Sequence, residues 1–167
     1  MTALCAWAAV NPRWAEPVSL RSAPNLHKVT DNIYRGAQPT REGFRNLEAM
    51  GIKTVINLRA LHSDDLSGTS LKSARIRMEA WDPETDEVIR VLRMLSDEGG
   101  APYFVHCQHG ADRTGMVMAV YRMAVQGWSK DDAIEEMTEG GYGFHPIWKE
   151  IPEFLRKLDV EQIKKSL

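Results

Sequence analysis

One ten-residue segment, running from His106 to Gly115, constrains the fold of this chain more than any other feature. The segment just before it, residues 101–105, is short, has a proline near its start and contains aromatic and β-branched residues, which is typical of a buried strand. The residues after it, 116–121, are mostly apolar and predict a buried helix. The segment is therefore predicted to be a loop that joins the carboxyl end of a strand to the amino terminus of a helix.

A loop in this position is suited to binding an oxyanion. Backbone N–H groups at a helix start are unpaired, and the helix dipole favours negative charge there. Gly110 permits a close backbone approach, and Arg113 offers a planar fork of donors to two oxygens of a phosphoryl group. We expect the anion to be surrounded by Gln108, His109, Gly110, Ala111, Asp112 and Arg113.

The cysteine that opens this loop has the surroundings of a nucleophile. Amides, the helix terminus and Arg113 all stabilise negative charge on sulfur, so we expect Cys107 to be a thiolate. Thr114 is expected to place a hydroxyl beside the sulfur, where it stabilises the departing thiolate. His106 is expected to hydrogen-bond the loop and hold its shape. The alternative is a buried structural cysteine that happens to precede an arginine.

The pattern His106-Cys107, Gly110, Arg113-Thr114-Gly115 resembles the signature loop of the cysteine-dependent protein tyrosine phosphatases, and the dual-specificity branch fits best. Segments 32–39, 51–59 and 126–143 extend the similarity to a bacterial group of small dual-specificity phosphatases, many of them exported. The resemblance implies hydrolysis of phosphotyrosine, and of phosphoserine or phosphothreonine, through a phosphocysteine at Cys107, with no metal and no cofactor.

The family also supplies a general acid from an aspartate upstream of the cysteine, and Asp82 is the candidate here. It follows a predicted strand and precedes a predicted helix, where a mobile loop is expected. The same position suits a helix N-cap, and the two roles are compatible. Glu84 and Asp86 are alternatives. Asp112 is another candidate for the general acid, because some phosphatases of inositol lipids have a similar loop with an aspartate just before the arginine. Alternatively, Asp112 is a carboxylate that hydrogen-bonds loop amides or pairs with Arg113.

Residues outside the loop complete a candidate rim. Arg35 and Arg59 follow strands that should end near the pocket, although either can be an ordinary surface charge. Trp81 is interpreted as a partly buried packing residue rather than a rim residue. Three late residues are expected to form a further wall: Tyr142, Phe144 and His145.

The composition of the loop also bears on the substrate. It contains no lysine, whereas enzymes for polyphosphorylated rings typically add lysines there, so a phosphorylated protein is the favoured substrate. Two alternatives stay open: an inositol (poly)phosphate phosphatase of the same fold, and a non-enzymatic module that binds phosphoproteins.

Charge and cysteine content exclude several classes. A net charge of −2 over 167 residues argues against nucleic acid as a partner, and no apolar run is long enough for a membrane span. Cys5 and Cys107 provide no disulfide framework, and no histidine, cysteine and aspartate spacing predicts a metal site. We expect a monomer. Residues 2–10 resemble the end of a signal peptide, so the protein is expected to be periplasmic if an upstream signal peptide is missing and otherwise cytoplasmic.

Alternating strands and helices predict an α/β three-layer fold with a central, mostly parallel sheet flanked by helices, as in dual-specificity phosphatases. Residues 1–24 are predicted to be an extended arm and residues 25–167 a single phosphatase domain. Strands are predicted at 26–29, 33–35, 53–58, 75–80 and 101–105; helices at 40–50, 84–96, 116–121, 129–140 and 145–158; and a polar loop at 61–73.

Overall fold

A six-stranded sheet forms the centre of the computed structural model, which describes residues 11–167. The strands are β1 (Glu16–Pro17), β2 (His27–Thr30), β3 (Ile33–Gly36), β4 (Thr54–Arg59), β5 (Lys72–Met78) and β6 (Tyr103–His106). Their order is β1-β2-β3-β6-β4-β5. The pairs β3 with β6, β6 with β4, and β4 with β5 are parallel, whereas β1 and β2 extend one edge in antiparallel pairing. The predicted mostly parallel sheet is confirmed.

Within residues 11–167, six α-helices accompany the sheet: α1 (Arg41–Ala49), α2 (Thr85–Leu95), α3 (Asp112–Ala124), α4 (Lys130–Glu139), α5 (Glu150–Lys157) and α6 (Val160–Ser166). Side chains cap the amino termini of α1 and α4. Thr40 Oγ1 accepts from the Gly43 amide at 3.2 Å, and Ser129 Oγ accepts from the Asp132 amide at 3.1 Å. Each bond satisfies an amide that would otherwise be unpaired in the first helical turn.

Two hydrophobic cores lie on opposite faces of the sheet. Successive strand residues point to opposite faces. Accordingly Val55 of β4 packs in the cluster that contains Phe44 and Leu47 of α1, whereas its neighbour Ile56 belongs to the larger cluster formed with α2 to α6. Helix α3 contacts α2, α4, α5 and α6, and it carries the loop after β6 against this larger core. The predicted three-layer arrangement is confirmed.

Some element bounds differ from the sequence predictions. Strand β5 begins at Lys72, inside the segment predicted to be a loop. The prediction missed this start because β5 is an edge strand, and its exposed residues Lys72, Ser73 and Arg77 do not show the alternation typical of a strand. The last predicted helix begins only at Glu150. A further helix, α6, follows it and was not predicted; Asp159 caps it through the Gln162 amide at 3.0 Å.

The described part of the predicted arm packs on the domain. Its strand β1 pairs with β2, and Ala15 and Ala23 are buried. Predictions about residues 1–10, including Cys5 and the resemblance to a signal peptide, lie outside the described residues. Between residues 11 and 167, the helices are all too short or too polar to cross a membrane.

Candidate active site

The loop between β6 and α3 surrounds the predicted nucleophile. Cys107 is 1% exposed and forms no disulfide, and α3 begins at Asp112, within the predicted motif. Gly110 has φ +70°, and a Cβ atom there would overlap the backbone of Gly36. Only glycine adopts this conformation at little cost, so the loop geometry depends on Gly110 for both conformation and space.

Three neighbouring segments hold the carbonyl groups of this loop from outside. The Gln38 amide donates to the Gln108 carbonyl at 3.1 Å, Asn25 Nδ2 donates to the His109 carbonyl at 2.9 Å, and Arg35 Nη2 donates to the Gly110 carbonyl at 2.8 Å. The backbone N–H groups of residues 108–111 make no hydrogen bond to any partner within residues 11–167. With the carbonyls held elsewhere, these amides are available to an anion.

Arg35 is therefore a support of the loop rather than a surface charge. Its side chain is fully buried, and its guanidinium carbon lies 3.8 Å from the centroid of the Tyr142 ring. Burial lowers the pKa of Arg35, because the charged form is removed from water. Tyr142 in turn donates to Glu136 at 3.1 Å, and burial together with that carboxylate raises the pKa of Tyr142 to about 12.

The histidine before the nucleophile is held by a buried carboxylate. His106 Nε2 lies 2.9 Å from Asp64 Oδ2, and Nδ1 lies 3.1 Å from the Cys107 carbonyl. The side chains of His106 and Asp64 are 0% and 1% exposed. Burial would raise the pKa of Asp64, but the hydrogen bond and charge of His106, helped by Gln38, outweigh it and hold the pKa below its usual value. The expectation that His106 fixes the shape of the loop agrees with these contacts.

Two arginines lie together at the mouth of the loop. Burial and the nearby charge of Arg113 lower the pKa of Arg59. Arg59 is oriented by Gln38 Oε1 at 2.9 Å and by Gln108 Oε1 at 3.5 Å. Arg113 Nη1 donates to the Met78 carbonyl at 3.4 Å, while its Nε and the Thr114 hydroxyl are buried without a partner in the described chain. Unpaired buried donors are costly, so both atoms fit contact with a bound group.

Two cavities open on either side of Arg113 and share Gln108 and Trp81. The first, of about 300 Å³, is also lined by Arg59, His62 and Glu79. The second, of about 260 Å³, is instead lined by a set of histidine, aspartate and apolar side chains: Ala80, His109, Asp112, His145, Ile147 and Trp148. Trp81 is 59% exposed, so its interpretation as a packing residue is wrong; it lies at the rim, 6.2 Å from Trp148 between ring centroids.

The candidate general acids differ in position. Asp82 is exposed in the segment between β5 and α2, next to Trp81, but it lines neither cavity. Its alternative role as a helix cap is wrong, because Glu84 is the N-cap residue of α2 and makes no side-chain cap bond. Asp86 is exposed in the first turn of that helix. Glu79, which the sequence reasoning did not single out, lines the cavity of Arg59.

Asp112 is turned toward a late loop. Its carboxylate accepts from the His145 amide at 3.0 Å, and Oδ2 lies 2.9 Å from His145 Nδ1. Within residues 11–167 the Asp112 carboxylate bonds neither the loop amides nor Arg113, the two expected partners; His145 takes their place. The expected late wall is present in part, since His145 lines a cavity, whereas Tyr142 is buried below the loop.

Comparison with known proteins identifies the family. The model of the family described as "DSP-PTPase phosphatase fused to NAD+ Kinase" matches residues 2–150. The chain belongs to this phosphatase family. The dual specificity protein phosphatase TpbA of Pseudomonas aeruginosa is 32% identical over 166 residues, covering 96% of this chain and 73% of the relative. Inositol diphosphatase DSP5 of Arabidopsis thaliana is 30% identical over 154 residues, covering 86% of this chain and 74% of the relative.

Solved structures agree with the phosphatase fold. The crystal structure of TpbA superimposes with a TM-score of 0.82 at 32% identity, covering 93% of this chain and 96% of that one. A cysteine-to-serine variant of TpbA in complex with pTyr gives the same TM-score of 0.82. The catalytic domain of the PP-IP phosphatase SIW14 from S. cerevisiae has a TM-score of 0.77 at 22% identity, which supports the fold alone.

Sequence reasoning located the phosphatase loop but missed most of its supports. Asn25 and Gln38 contact the loop, and Asp64 contacts His106, from segments far away in the chain. The local pattern around Asn25 and Gln38 does not predict their contacts. A partial signal existed for Asp64, because it lies in the polar segment after β4, at the carboxyl edge of the sheet.

Proposed function

We propose that this chain hydrolyses phosphate monoesters on proteins, phosphotyrosine first and phosphoserine or phosphothreonine also, through a phosphocysteine on Cys107 and without a metal ion. The observation that carries the proposal is the buried Cys107 at the start of a loop in which Gln38, Asn25 and Arg35 bind the carbonyls of Gln108, His109 and Gly110. A cradle of free amides around a single sulfur suits phosphoryl transfer to that sulfur. The complex of TpbA with pTyr supports the same substrate class.

The chemistry proceeds in two displacements. The Cys107 thiolate attacks phosphorus, an S–P bond forms, and the P–O bond to the leaving group breaks as that oxygen takes a proton from the general acid. Water then attacks the phosphocysteine, gives a proton to the same carboxylate, and the S–P bond breaks to return the thiolate and inorganic phosphate. Arg113 and the loop amides hold the equatorial oxygens, and the Thr114 hydroxyl donates to the departing sulfur.

Asp82 is proposed as the general acid. Its exposure beside the rim residue Trp81, on a segment between a strand and a helix, suits a carboxylate that swings over bound substrate. Glu79 is the competitor with a position in the cavity, and Asp112 is less suited because His145 occupies its carboxylate.

A second candidate substrate, an inositol diphosphate, is favoured by one specific observation. Arg59 and His62 line the cavity beside Arg113 and offer donors to a second phosphate group next to the first, whereas the Glu79 carboxylate of the same cavity opposes it. Arg59 ends β4 and His62 follows it, so the absence of lysine from the loop did not predict these two side chains. The relative DSP5, named an inositol diphosphatase, supports this alternative.

A substrate screen separates these functions. Wild type, Cys107→Ser and Arg59→Met are assayed for phosphate release from phosphopeptides and from inositol phosphates and diphosphates. Cys107→Ser should release no phosphate from any substrate yet still bind a phosphotyrosine peptide. Turnover well above background in that variant would contradict the covalent mechanism, and binding without wild-type turnover would favour a phosphoprotein-binding module. A loss with Arg59→Met that is much larger for diphosphates than for phosphotyrosine would favour the inositol candidate.

The general acid is tested by leaving-group dependence. Removing the acid slows esters of basic leaving groups far more than aryl esters of acidic phenols. Asp82→Asn should show this dependence and lose the alkaline limb of the pH–rate profile, while Glu79→Gln and Asp112→Asn serve as comparison variants. If Asp82→Asn slows all esters equally and Glu79→Gln carries the dependence, the acid is Glu79 and the assignment to Asp82 is wrong.

A further inference from the structure

Three potential metal ligands meet at the rim of the cradle. One donor atom each from His109, Asp112 and His145 can be chosen so that all lie within 4.8 Å of one another. The three residues line the cavity that contains Arg113, Trp81 and Trp148. Residue 145 is far from the loop in sequence, which explains why ligand spacing predicted no metal site.

Hydrogen bonds hold two of the three residues in place. The Asp112 carboxylate is buried and accepts from the His145 amide at 3.0 Å, a bond that fixes its position independently of the His145 ring. The loop at His109 is fixed through its carbonyl, which accepts from Asn25 at 2.9 Å. The imidazoles of His109 and His145 are exposed, with ring centroids 5.0 Å apart, so they can rotate with little loss of packing.

The donor set selects the ion. Two imidazoles and one carboxylate suit zinc, whose ligand distances are about 2.0–2.2 Å, whereas Mg²⁺ and Ca²⁺ prefer oxygen ligands only. Tetrahedral zinc requires its donors to lie about 3.3 Å apart. The donors of the present cluster lie up to 4.8 Å apart, so the cluster needs to contract by up to about 1.5 Å, which the two exposed imidazoles can supply. His145 Nδ1 now forms a hydrogen bond of 2.9 Å with Asp112 Oδ2, and zinc would replace the shared proton of this bond.

We propose that His109, Asp112 and His145 form a regulatory Zn²⁺ site at the rim of the cradle, distinct from the nucleophile Cys107. Three protein ligands leave one coordination position for water or an anion. Because the site shares its cavity with Arg113, a bound ion obstructs the approach of a phosphoester, so zinc inhibits rather than assists hydrolysis. The inhibitory role rests on the proposed phosphatase function, whereas the binding site does not.

Binding is measured on a protein without thiols, because cysteine itself binds zinc. The chain has two cysteines, so Cys5→Ser with Cys107→Ser removes both. Isothermal titration of this protein with ZnCl₂ should show one site, and Co²⁺ should give the visible absorption of a four-coordinate site. Adding His145→Gln or His109→Gln should weaken zinc binding by at least roughly tenfold, since even outer partners of metal ligands contribute 10- to 100-fold.

His62→Gln is the matched control, because His62 is also exposed beside the cradle but lines the other cavity. It should bind zinc like its parent, and circular dichroism should show the same fold for every variant. Absence of a zinc site in the thiol-free protein, or equal affinity in the His145→Gln and His62→Gln variants, would overturn the proposal.

Activity provides a separate test on the cysteine-containing protein. Zinc should inhibit wild type, a chelator should restore activity, and His145→Gln should need at least tenfold more zinc for half inhibition than His62→Gln. Equal sensitivity of the two variants would show that zinc acts at Cys107 and would overturn the inhibitory role. If wild type has no phosphatase activity, the proposed function fails while the titration still decides whether the metal site exists.

Discussion

The buried guanidinium of Arg35 provides a sharp test of how the cradle is held. Arg35→Met keeps a long side chain of similar reach but removes the donor to the Gly110 carbonyl, which is 2.8 Å away in the structure. The substitution also removes the cation from the face of Tyr142. We expect the loop to lose its support at Gly110 while the sheet and helices stay intact.

The magnitude follows from the bond that is lost. A hydrogen bond from a charged donor contributes about 1.5–3 kcal/mol, and 1.36 kcal/mol changes a rate tenfold, so kcat/KM should fall roughly 10- to 150-fold. Stability should change less. Arg35 has no carboxylate in direct contact, and burial already disfavours its charge, so we expect the free energy of unfolding to change by less than about 2 kcal/mol.

Arg122→Met is the matched control, because Arg122 is also buried but lies in the ion pair with Glu136, with two bonds of 2.7 Å. Breaking a buried pair costs about 3–5 kcal/mol, which lowers Tm by roughly 6–20 °C in a domain of this size. At a temperature where it is folded, its kcat/KM should stay near the wild-type value.

The assays are urea unfolding and steady-state hydrolysis of a phosphotyrosine peptide on both variants. We expect Arg35→Met to lose activity while its stability changes little, and Arg122→Met to lose stability while its activity changes little. If Arg35→Met keeps kcat/KM within threefold of wild type, the guanidinium does not position the loop and the reasoning is refuted.

Three further predictions concern the loop and its supports. Gly110→Ala should reduce kcat/KM by at least roughly tenfold, because the backbone is left-handed and a Cβ overlaps Gly36; Gly127→Ala, with φ +72° and open space, should cost about 1 kcal/mol of stability and leave kinetics unchanged. Asp64→Asn should destabilise the protein at neutral pH, and the difference from wild type in the free energy of unfolding by urea should shrink as pH falls below about 4. The reason is that a carboxylate whose pKa is lowered in the folded state stabilises the protein above its unfolded pKa. This contribution is lost as pH falls through the folded pKa. A difference that persists unchanged at pH 2 would contradict that assignment. Hydrolysis should continue in EDTA and stop with iodoacetamide, which alkylates the thiolate, and activity lost on chelation and restored by a divalent ion would show that a metal takes part.

The sequence predicted the fold and the loop because their signals are local. The strand before Cys107 and the helix after it differ in hydrophobic periodicity and in length. Gly110 and Arg113 both lie close to Cys107 in the sequence, so the motif is visible within one short segment. Strand β5 was placed too late because an edge strand exposes polar side chains on both faces, so its pattern resembles a loop. The prediction of a mostly parallel sheet needed only the rule that strands and helices alternate.

The supports of the loop could not be predicted in the same way. Arg35 is recognisable as buried only once β3 is known to lie beside β6, since parallel pairing of Gly36 with His106 brings it beneath the loop. Asp64 is hidden in a polar segment where most residues are exposed, and only the tertiary structure shows that it faces His106. Trp81 was misjudged because a large aromatic residue is usually buried, while here it is at a rim.

The two cavities beside Arg113 explain why the loop alone leaves the substrate open. One side offers Arg59 and can receive a second phosphate, whereas the other offers Trp81 and Trp148 and can receive a phenyl ring. Both sides use the same cradle, so the chemistry at Cys107 does not distinguish a phosphotyrosine from an inositol diphosphate. The distinction lies in which cavity contributes binding energy in the transition state. Arg59 lines the first cavity and Trp148 lines the second, so substitutions at these two residues should shift the ratio of kcat/KM for the two substrates in opposite directions.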